Sequence, residues 1–449
     1  MAKERIEFVC TACSYRTPKW LGKCPSCKDW DTLVADKSAS SGAVSMAALR
    51  KPMALQEISV DRGGEVRTLT GISELDTCLG GGLVAGSLVL LGGDPGVGKS
   101  TLLLSAMDRL SRRGMSVLYA TGEESLKQVK LRADRLGVSA AGLQILASQD
   151  MSDIEAALSD LKPQLVVIDS VQTVRMRGTT GIPGSMSQVR EIGQRTMELA
   201  KGTGTAILLV GHVTKSGALA GPKALEHFVD TVLHFEGDGR TDLRILRTLK
   251  NRFGPAGELG LFEMVASGLR EVPDASARLL SERNADVPGT AVVAAMEGTR
   301  PLLTEVQALV GASSPSQPAR TCVGVDRTRV LLLAAVLEKQ GLVLSDRDLF
   351  VNAAGGVRLH EPAIDLGIVA AIATSATGRC VPKDTLLFGE VGLVGEVRAT
   401  SRPAPRLREA SRQGFRRVIA PASCAADDVE GIRVVGVRTV QEVLDVLCT

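Results

Sequence analysis

An apolar run, Ser87-Leu-Val-Leu-Leu-Gly-Gly93, leads into Gly93-Asp94-Pro95-Gly96-Val97-Gly98-Lys99-Ser100-Thr101, and an apolar helical stretch, 101–110, follows. Residues 93–100 match G-x4-G-K-[ST] without departure. The spacing has a chemical reason. Glycines let the backbone wrap closely around a phosphate and point its N–H groups inward. The helix that starts there adds the positive end of its dipole. Lys99 is spaced to reach the β- and γ-phosphates of ATP, and Ser100 to ligate Mg²⁺. A chance glycine turn would not sit between such a strand and such a helix.

The surrounding pattern is of the same kind. Residues 116–121, 165–169 and 205–211 are further short apolar runs, and helical stretches separate them. This alternation predicts an α/β fold with a parallel sheet and helices on both faces. Ligands of such sheets bind beyond the carboxyl ends of the strands. Asp169 ends one run and is a candidate Mg²⁺ ligand through water. Glu123 and Glu124 follow another, and one of them can orient the attacking water; Glu123 is the preferred candidate. Both also suit the first turn of the helix expected over 123–136. His212 follows the run 205–211 as a candidate γ-phosphate contact, although a lone His serves structure equally well.

Near the start, Cys10-x2-Cys13 and Cys24-x2-Cys27 form two pairs separated by ten residues. Two such turns complete a tetrahedral Zn²⁺ site, closed and structural because sulfur fills all four positions. Trp20 and Trp30 are expected to cover its small core. The other five of the nine cysteines are scattered, which suits a reducing compartment rather than a disulfide framework. The predicted order is a zinc-binding domain over 1–35, a Ser/Ala/Gly-rich linker over 36–54, an ATPase domain over 55–272 and a second α/β domain over 275–449. In the last, 289–310 reads as a hairpin.

Composition narrows the partners. A net charge of +3 over 449 residues makes any nucleic-acid surface local, and 3% aromatics argue against a broad base-stacking platform. The charged N-terminus is no secretory signal, and no apolar run approaches the roughly 18 residues of a membrane span, so a cytoplasmic protein is expected.

Beyond these general features lie specific ones. The Cys quartet, residues 70–101, the segment 211–237 and Lys250-Asn251-Arg252-Phe253-Gly254 occur in one order. In this the chain closely resembles the RadA (Sms) family of bacterial DNA recombination and repair proteins, from about residue 7 to the C-terminus. The resemblance implies a RecA-like ATPase core that assembles as a hexameric ring on single-stranded DNA. It further implies ATP-driven branch migration of recombination intermediates, in partnership with RecA. Lys250 and Arg252 become candidates for a charge supplied to a neighbour's γ-phosphate; pairing with carboxylates or contacting DNA are the alternatives. Arg175 and Arg177, with Lys215 and Lys223, fall in two expected DNA loops, where they can hold phosphates without reading bases.

The C-terminal part resembles the proteolytic domain of Lon. Lon pairs a Ser nucleophile with a Lys base, and the corresponding positions here are Ala363 and Ala404. A non-proteolytic scaffold is therefore expected. Arg329, Lys339, Arg347 and Arg358 could line a DNA channel or simply be solvated. The competing readings are a switch ATPase acting on protein partners, an ATP-dependent protease and a strand-pairing recombinase.

Overall fold

The computed structural model describes residues 7–11, 15–17, 19–30, 32–36, 66–179, 181–212, 225–237, 242–313, 318–424 and 429–448. Cys13, Lys215, Lys223 and nearly all of the expected linker lie outside the described residues.

The chain divides into two compact units. The smaller contains a three-stranded antiparallel sheet in which β1 (Glu7–Cys10) lies between β2 (Arg16–Thr17) and β3 (Leu33–Asp36). Its core consists of Cys10, Cys24 and Leu33, with Phe8 and Cys27 against them.

In the larger unit, β4 (Arg67–Thr68) and β5 (Leu83–Val84) pair on either side of α1 (Ser73–Cys78). Then β6 (Leu88–Gly93), α2 (Lys99–Arg112), β7 (Val117–Thr121), α3 (Leu126–Arg135), β8 (Leu143–Ala147), α4 (Met151–Leu161), β9 (Leu165–Asp169), α5 (Met186–Thr203) and β10 (Ala206–His212) alternate. β11 (Thr231–Glu236), β12 (Leu243–Asn251), β13 (Leu259–Val265) and β14 (Gly268–Glu271) follow. The sheet order is β14-β13-β12-β11-β6-β10-β9-β7-β8.

Successive side chains on a strand point to opposite faces, and the apolar strands use both. Val89, Leu91, Val117, Tyr119 and Val167 pack in one core with α1 and α2. Leu88, Leu90, Leu118, Val166 and Ile168 pack in another with α4 and α5. This explains why these strands read as continuous apolar runs.

The expectation of a parallel sheet needs correction. Only β11-β6-β10-β9-β7-β8 are parallel; β12, β13 and β14 extend the sheet antiparallel. The physical reason is connection length. Parallel neighbours need a crossover of a dozen or more residues, and the links after β11, β12 and β13 are too short for one.

After α6 (Ala275–Leu280), β15 (Thr290–Glu297) and β16 (Arg300–Ala312) form the expected hairpin. Next come β17 (Arg320–Val323), α7 (Arg327–Lys339), β18 (Arg347–Ala353), α8 (Asp365–Thr377), β19 (Thr385–Leu387), β20 (Glu390–Val391) and β21 (Val397–Arg398). The chain closes with α9 (Pro403–Arg412), β22 (Arg417–Pro421), β23 (Arg433–Val437) and α10 (Val440–Cys448). The second sheet runs β17-β18-β16-β15-β19-β22-β23. Residues 365–374 of α8 are all buried, the behaviour of a helix that is apolar around its whole circumference. No helix among the described residues is long and apolar enough to cross a membrane.

The two sheets share a core. Leu243, Ile245, Leu259 and Leu261 of the first cluster with residues of the second. Polar contacts fix the junction. Buried Glu74 accepts from the Leu261 N–H at 3.0 Å and from Arg300 at 2.8 Å. Glu258 accepts from the N–H and hydroxyl of Thr299 at 3.0 and 2.6 Å, and Arg247 pairs with Glu297. Gly298, at φ 59°, lies so close to Gly257 that a Cβ there would meet its backbone at 2.7 Å. Arg300→Ala removes the cation from a buried carboxylate, so it is expected to lower stability by about 3 kcal/mol. Guanidinium unfolding checks this; Arg300→Lys should lose less, and an unchanged midpoint in Arg300→Ala would refute the junction's role.

Candidate functional site

The parallel strands end in a row, and the phosphate loop lies at that edge. At Gly93 a Cβ would approach the Phe235 carbonyl of β11 to 2.3 Å, so only glycine fits. Gly98 (φ 115°) ends the loop against Met264, Leu269 and Phe235. Around Gly96, by contrast, no atom beyond its chain neighbours lies within 4 Å of a Cβ position, so that side of the loop faces open space. Thr101 lies in the first turn of α2, beside Gly268 of β14. That helix begins with no side-chain cap and no acidic residue in its first turn. Its leading N–H groups and dipole therefore face the loop, the condition for an anion site.

Lys99 is buried, and its amine donates to the carbonyls of Gly93 (2.8 Å) and Asp94 (2.9 Å). Burial pulls its pKa below the usual lysine range, against the attraction of Asp169, Glu123 and Asp94. The amine also lies 3.4 Å from His212 Nδ1. An ammonium can only donate, so Nδ1 accepts, and the ring proton on Nε2 donates to Glu123 at 2.9 Å. His212, the last residue of β10, thus bridges the two groups that the sequence singled out.

Asp169 ends β9 and is buried. It accepts from Ser100 Oγ at 2.6 Å and from the Tyr119 hydroxyl at 2.5 Å. Ser100 and Asp169 are therefore adjacent, as a hard divalent cation with few protein ligands requires. Tyr119 is a site residue that the sequence reading missed. Its only signal was a tyrosine inside the strand Val117–Thr121.

The two glutamates face different ways. Glu123 accepts from His212 and from Ser170, and the His212 hydrogen bond is the main cause that holds its carboxyl below the ordinary range. Glu124 pairs instead with Arg132. Neither lies in the first turn of α3, whose N-cap is Ser125 in a capping box with Gln128.

Lys250 and Arg252 lie elsewhere. Val232 pairs with Lys250 across β11 and β12, and with Leu90 on its other side. That level is three residues, about 10 Å, short of Gly93. The Lys250 amine points away from the loop, donating to the carbonyls of Glu226 (2.5 Å) and Val229 (2.8 Å). Burial, then Arg252, lowers its pKa. Arg252 contacts buried Asp230 at 3.4 Å, which also takes Lys201 at 2.8 Å and the Leu88 N–H at 3.0 Å. Asn251 Oδ1 accepts from Thr231 and from the Phe253 N–H, and Gly254 packs on Gly80. Arg175 and Arg177 converge on Asp150, at 3.8 and 2.6 Å. The Arg177 hydrogen bond, then Ser152, holds Asp150 at about 2.

In the ribbon, Cys10, Cys24 and Cys27 place their sulfurs within 4.8 Å of one another, with Cys10 and Cys27 3.6 Å apart. A disulfide needs about 2.05 Å. Tetrahedral Zn–S bonds of about 2.3 Å put sulfurs about 3.8 Å apart, so the cluster fits zinc. One expectation fails: the indoles do not cover this core. Trp20 is 56% and Trp30 70% exposed, because Leu33 and Phe8 already fill the small interior.

In the C-terminal part, Ala363 is buried and Ala404 lies in the first turn of α9. Fully buried Arg406, two residues after Ala404, pairs with Glu361 and donates to the Ala294 carbonyl at 2.5 Å. Arg329 is corrected from channel lining to a structural role: it pairs with buried Asp365 and donates to the Val391 carbonyl at 2.7 Å. Lys339, Arg347 and Arg358 are exposed.

Two outcomes follow from these geometries. Tyr119→Phe removes a donor that orients Asp169, and should raise the Mg²⁺ concentration for half-maximal ATP hydrolysis about tenfold; an unshifted Mg²⁺ titration would exclude that role. Metal analysis should find about one zinc per chain, with Cys24→Ser losing it.

Two family models cover the two regions described above. A family model described as an AAA domain matches residues 64–218, and one described as a rubredoxin metal binding domain matches residues 8–35. The crystal structure of KaiC-like protein PH0186 from Pyrococcus horikoshii OT3 aligns with 46% of this chain and 100% of its own, at TM-score 0.40 and 18% identity. "DNA repair protein RadA" of Halalkalibacterium halodurans is 50% identical over 99% of both chains. Its namesakes in Bacillus subtilis (strain 168) and Brucella abortus are 48% and 47% identical, over 99% and 94% of this chain and 99% and 92% of their own. An N-terminal zinc ribbon followed by an AAA/RecA-like P-loop domain, in a chain matched along nearly its whole length, means that this chain belongs to the RadA family of DNA repair proteins.

Proposed function

We propose that the protein is a DNA-dependent ATPase of recombinational repair. It moves on single-stranded DNA as a hexameric ring and promotes branch migration of recombination intermediates with RecA. The observation that carries the intersubunit part is the position of Lys250 and Arg252. They lie short of their own phosphate loop and turn away from it, so a neighbouring copy is the natural recipient of their charge.

In this reading ATP and Mg²⁺, when bound, supply the scissile phosphoanhydride and the charge that offsets the developing negative oxygens. Lys99 exchanges its carbonyl partners for phosphate oxygens. Ser100 and Asp169 hold the cation. Glu123, whose pKa the His212 hydrogen bond lowers, orients the attacking water. His212 couples Glu123 to Lys99, so loss of the terminal phosphate is felt at both. Arg175 and Arg177 trade Asp150 for DNA phosphates; Lys215 and Lys223 serve likewise. Residues 55–272 form the motor domain, and 275–449 a Lon-like scaffold without proteolysis. Ala363, Ala404 and the buried Arg406–Glu361 pair support the latter, because they leave neither nucleophile nor base.

Single-stranded DNA should raise the ATPase rate several-fold, and Lys99→Ala should abolish hydrolysis. Lys250→Ala should retain ATP binding but turn over slowly, and mixing it with Lys99→Ala should restore part of the activity. No DNA stimulation, with Arg175→Ala/Arg177→Ala binding DNA normally, sinks the motor reading. No rescue on mixing sinks the intersubunit one, and casein degradation would reinstate a protease.

A further inference from the structure

The chain contains two tryptophans, and both lie in the zinc ribbon. Both are more than half exposed, an expensive placement for the largest apolar side chain unless something covers it. They are also neighbours. A Cβ built on Gly22 would lie 3.8 Å from the Trp20 ring and 3.9 Å from the Trp30 ring, so the two indoles flank one small residue. Leu21, next to Trp20 in the sequence, is 39% exposed.

The rim of this face is basic. Among the described residues 19–30, Lys19, Lys23 and Lys28 accompany one acid, Asp29. Lys19, Lys23 and Lys28 are exposed. Lys23 and Trp30 face each other across a β-bridge, and the Lys23 ammonium lies 5.3 Å from the Trp30 ring centroid. A zinc tetrathiolate carries a formal charge of −2, but the sulfurs of Cys10 and Cys24 belong to buried residues, whereas the ammonium groups stand at the surface.

Flat π faces beside exposed cations suit a ligand with flat bases and a charged backbone. Stacking accepts any sequence, because every base has a π face, and the lysines take the phosphates. A protein partner fits less well. Two indoles present about 150–250 Å² each, far short of the roughly 800 Å² per side of a stable interface. Low aromatic content argues against a broad platform, yet it is compatible with a two-ring one, since both indoles sit on one small domain.

We propose that the Trp20–Trp30 face of the zinc ribbon, with Lys19, Lys23 and Lys28, binds single-stranded DNA by stacking bases on the two indoles. This goes beyond the motor reading, which puts DNA in loops of the ATPase core. The ribbon is a second, sequence-tolerant contact on the same strand.

The test uses the full-length, zinc-loaded protein, whose intrinsic tryptophan fluorescence arises from this face alone. Oligo(dT) should quench it saturably, and an abasic oligonucleotide of equal length and charge should not. Trp20→Ala and Trp30→Ala, each with zinc content unchanged, should weaken oligo(dT) binding about tenfold by anisotropy, and Trp30→Phe should recover part of the loss. The proposal falls if a labelled oligonucleotide binds without quenching, if the abasic strand quenches equally, or if both alanine variants bind like the parent. Its failure is distinguishable from that of the motor: lost quenching with intact DNA-stimulated ATPase sinks this proposal alone, and intact quenching without stimulation sinks the motor alone.

Discussion

A carboxylate among apolar strands is tolerable only with donors around it. Asp169 has two: the Tyr119 hydroxyl from β7 and the Ser100 hydroxyl from the first turn of α2. That pair of hydrogen bonds ties the phosphate loop to the middle of the sheet. The other site residues take their places from it. Gly93 can approach β11 closely because it has no side chain, and His212 reaches both Lys99 and Glu123 because β10 ends level with Gly93. The site is therefore a property of strand ends held in register, as expected of an open α/β sheet.

A second buried carboxylate organises the opposite edge. Asp230 collects the Leu88 N–H, Lys201 and Arg252. Its acceptance from Leu88 places it at the first residue of β6, the strand whose last residue is Gly93. One strand thus joins the phosphate loop to the pentapeptide 250–254. Lys250 and Arg252 spend their charge within the chain here, Lys250 on the carbonyls of Glu226 and Val229 and Arg252 on buried Asp230.

The C-terminal part follows the same economy of charge. Arg406–Glu361 and Arg329–Asp365 are ion pairs in which one member is wholly buried, and backbone carbonyls take further guanidinium N–H groups. Removing one member of such a pair would leave the other charge uncompensated. They hold α8 against β20 and α9 against β15.

Much of this was legible in the residues alone. The glycine spacing at 93–98, the strand ahead of it and the helix behind it determined the phosphate cradle, because backbone geometry there depends on local residue type. The Cys-x2-Cys pairs did the same for the ribbon. The positions of β6, β7, β9 and β10 were legible too, since strands buried on both faces are apolar along most of their length. Tertiary structure alone decided the rest. The antiparallel extension through β12–β14 depends on which strand meets which. Glu123 and Glu124 are adjacent and identical in type, and only the packing of α3 turns one to His212 and the other to Arg132. Tyr119 joins the site across a strand gap, Arg329 is turned inward by an acid 36 residues away, and the tryptophans stay outside a core that is already full. Local chemistry is written at each position of a chain, but the direction a polar side chain faces is set by its partners, and those arrive from distant sequence only when the chain folds.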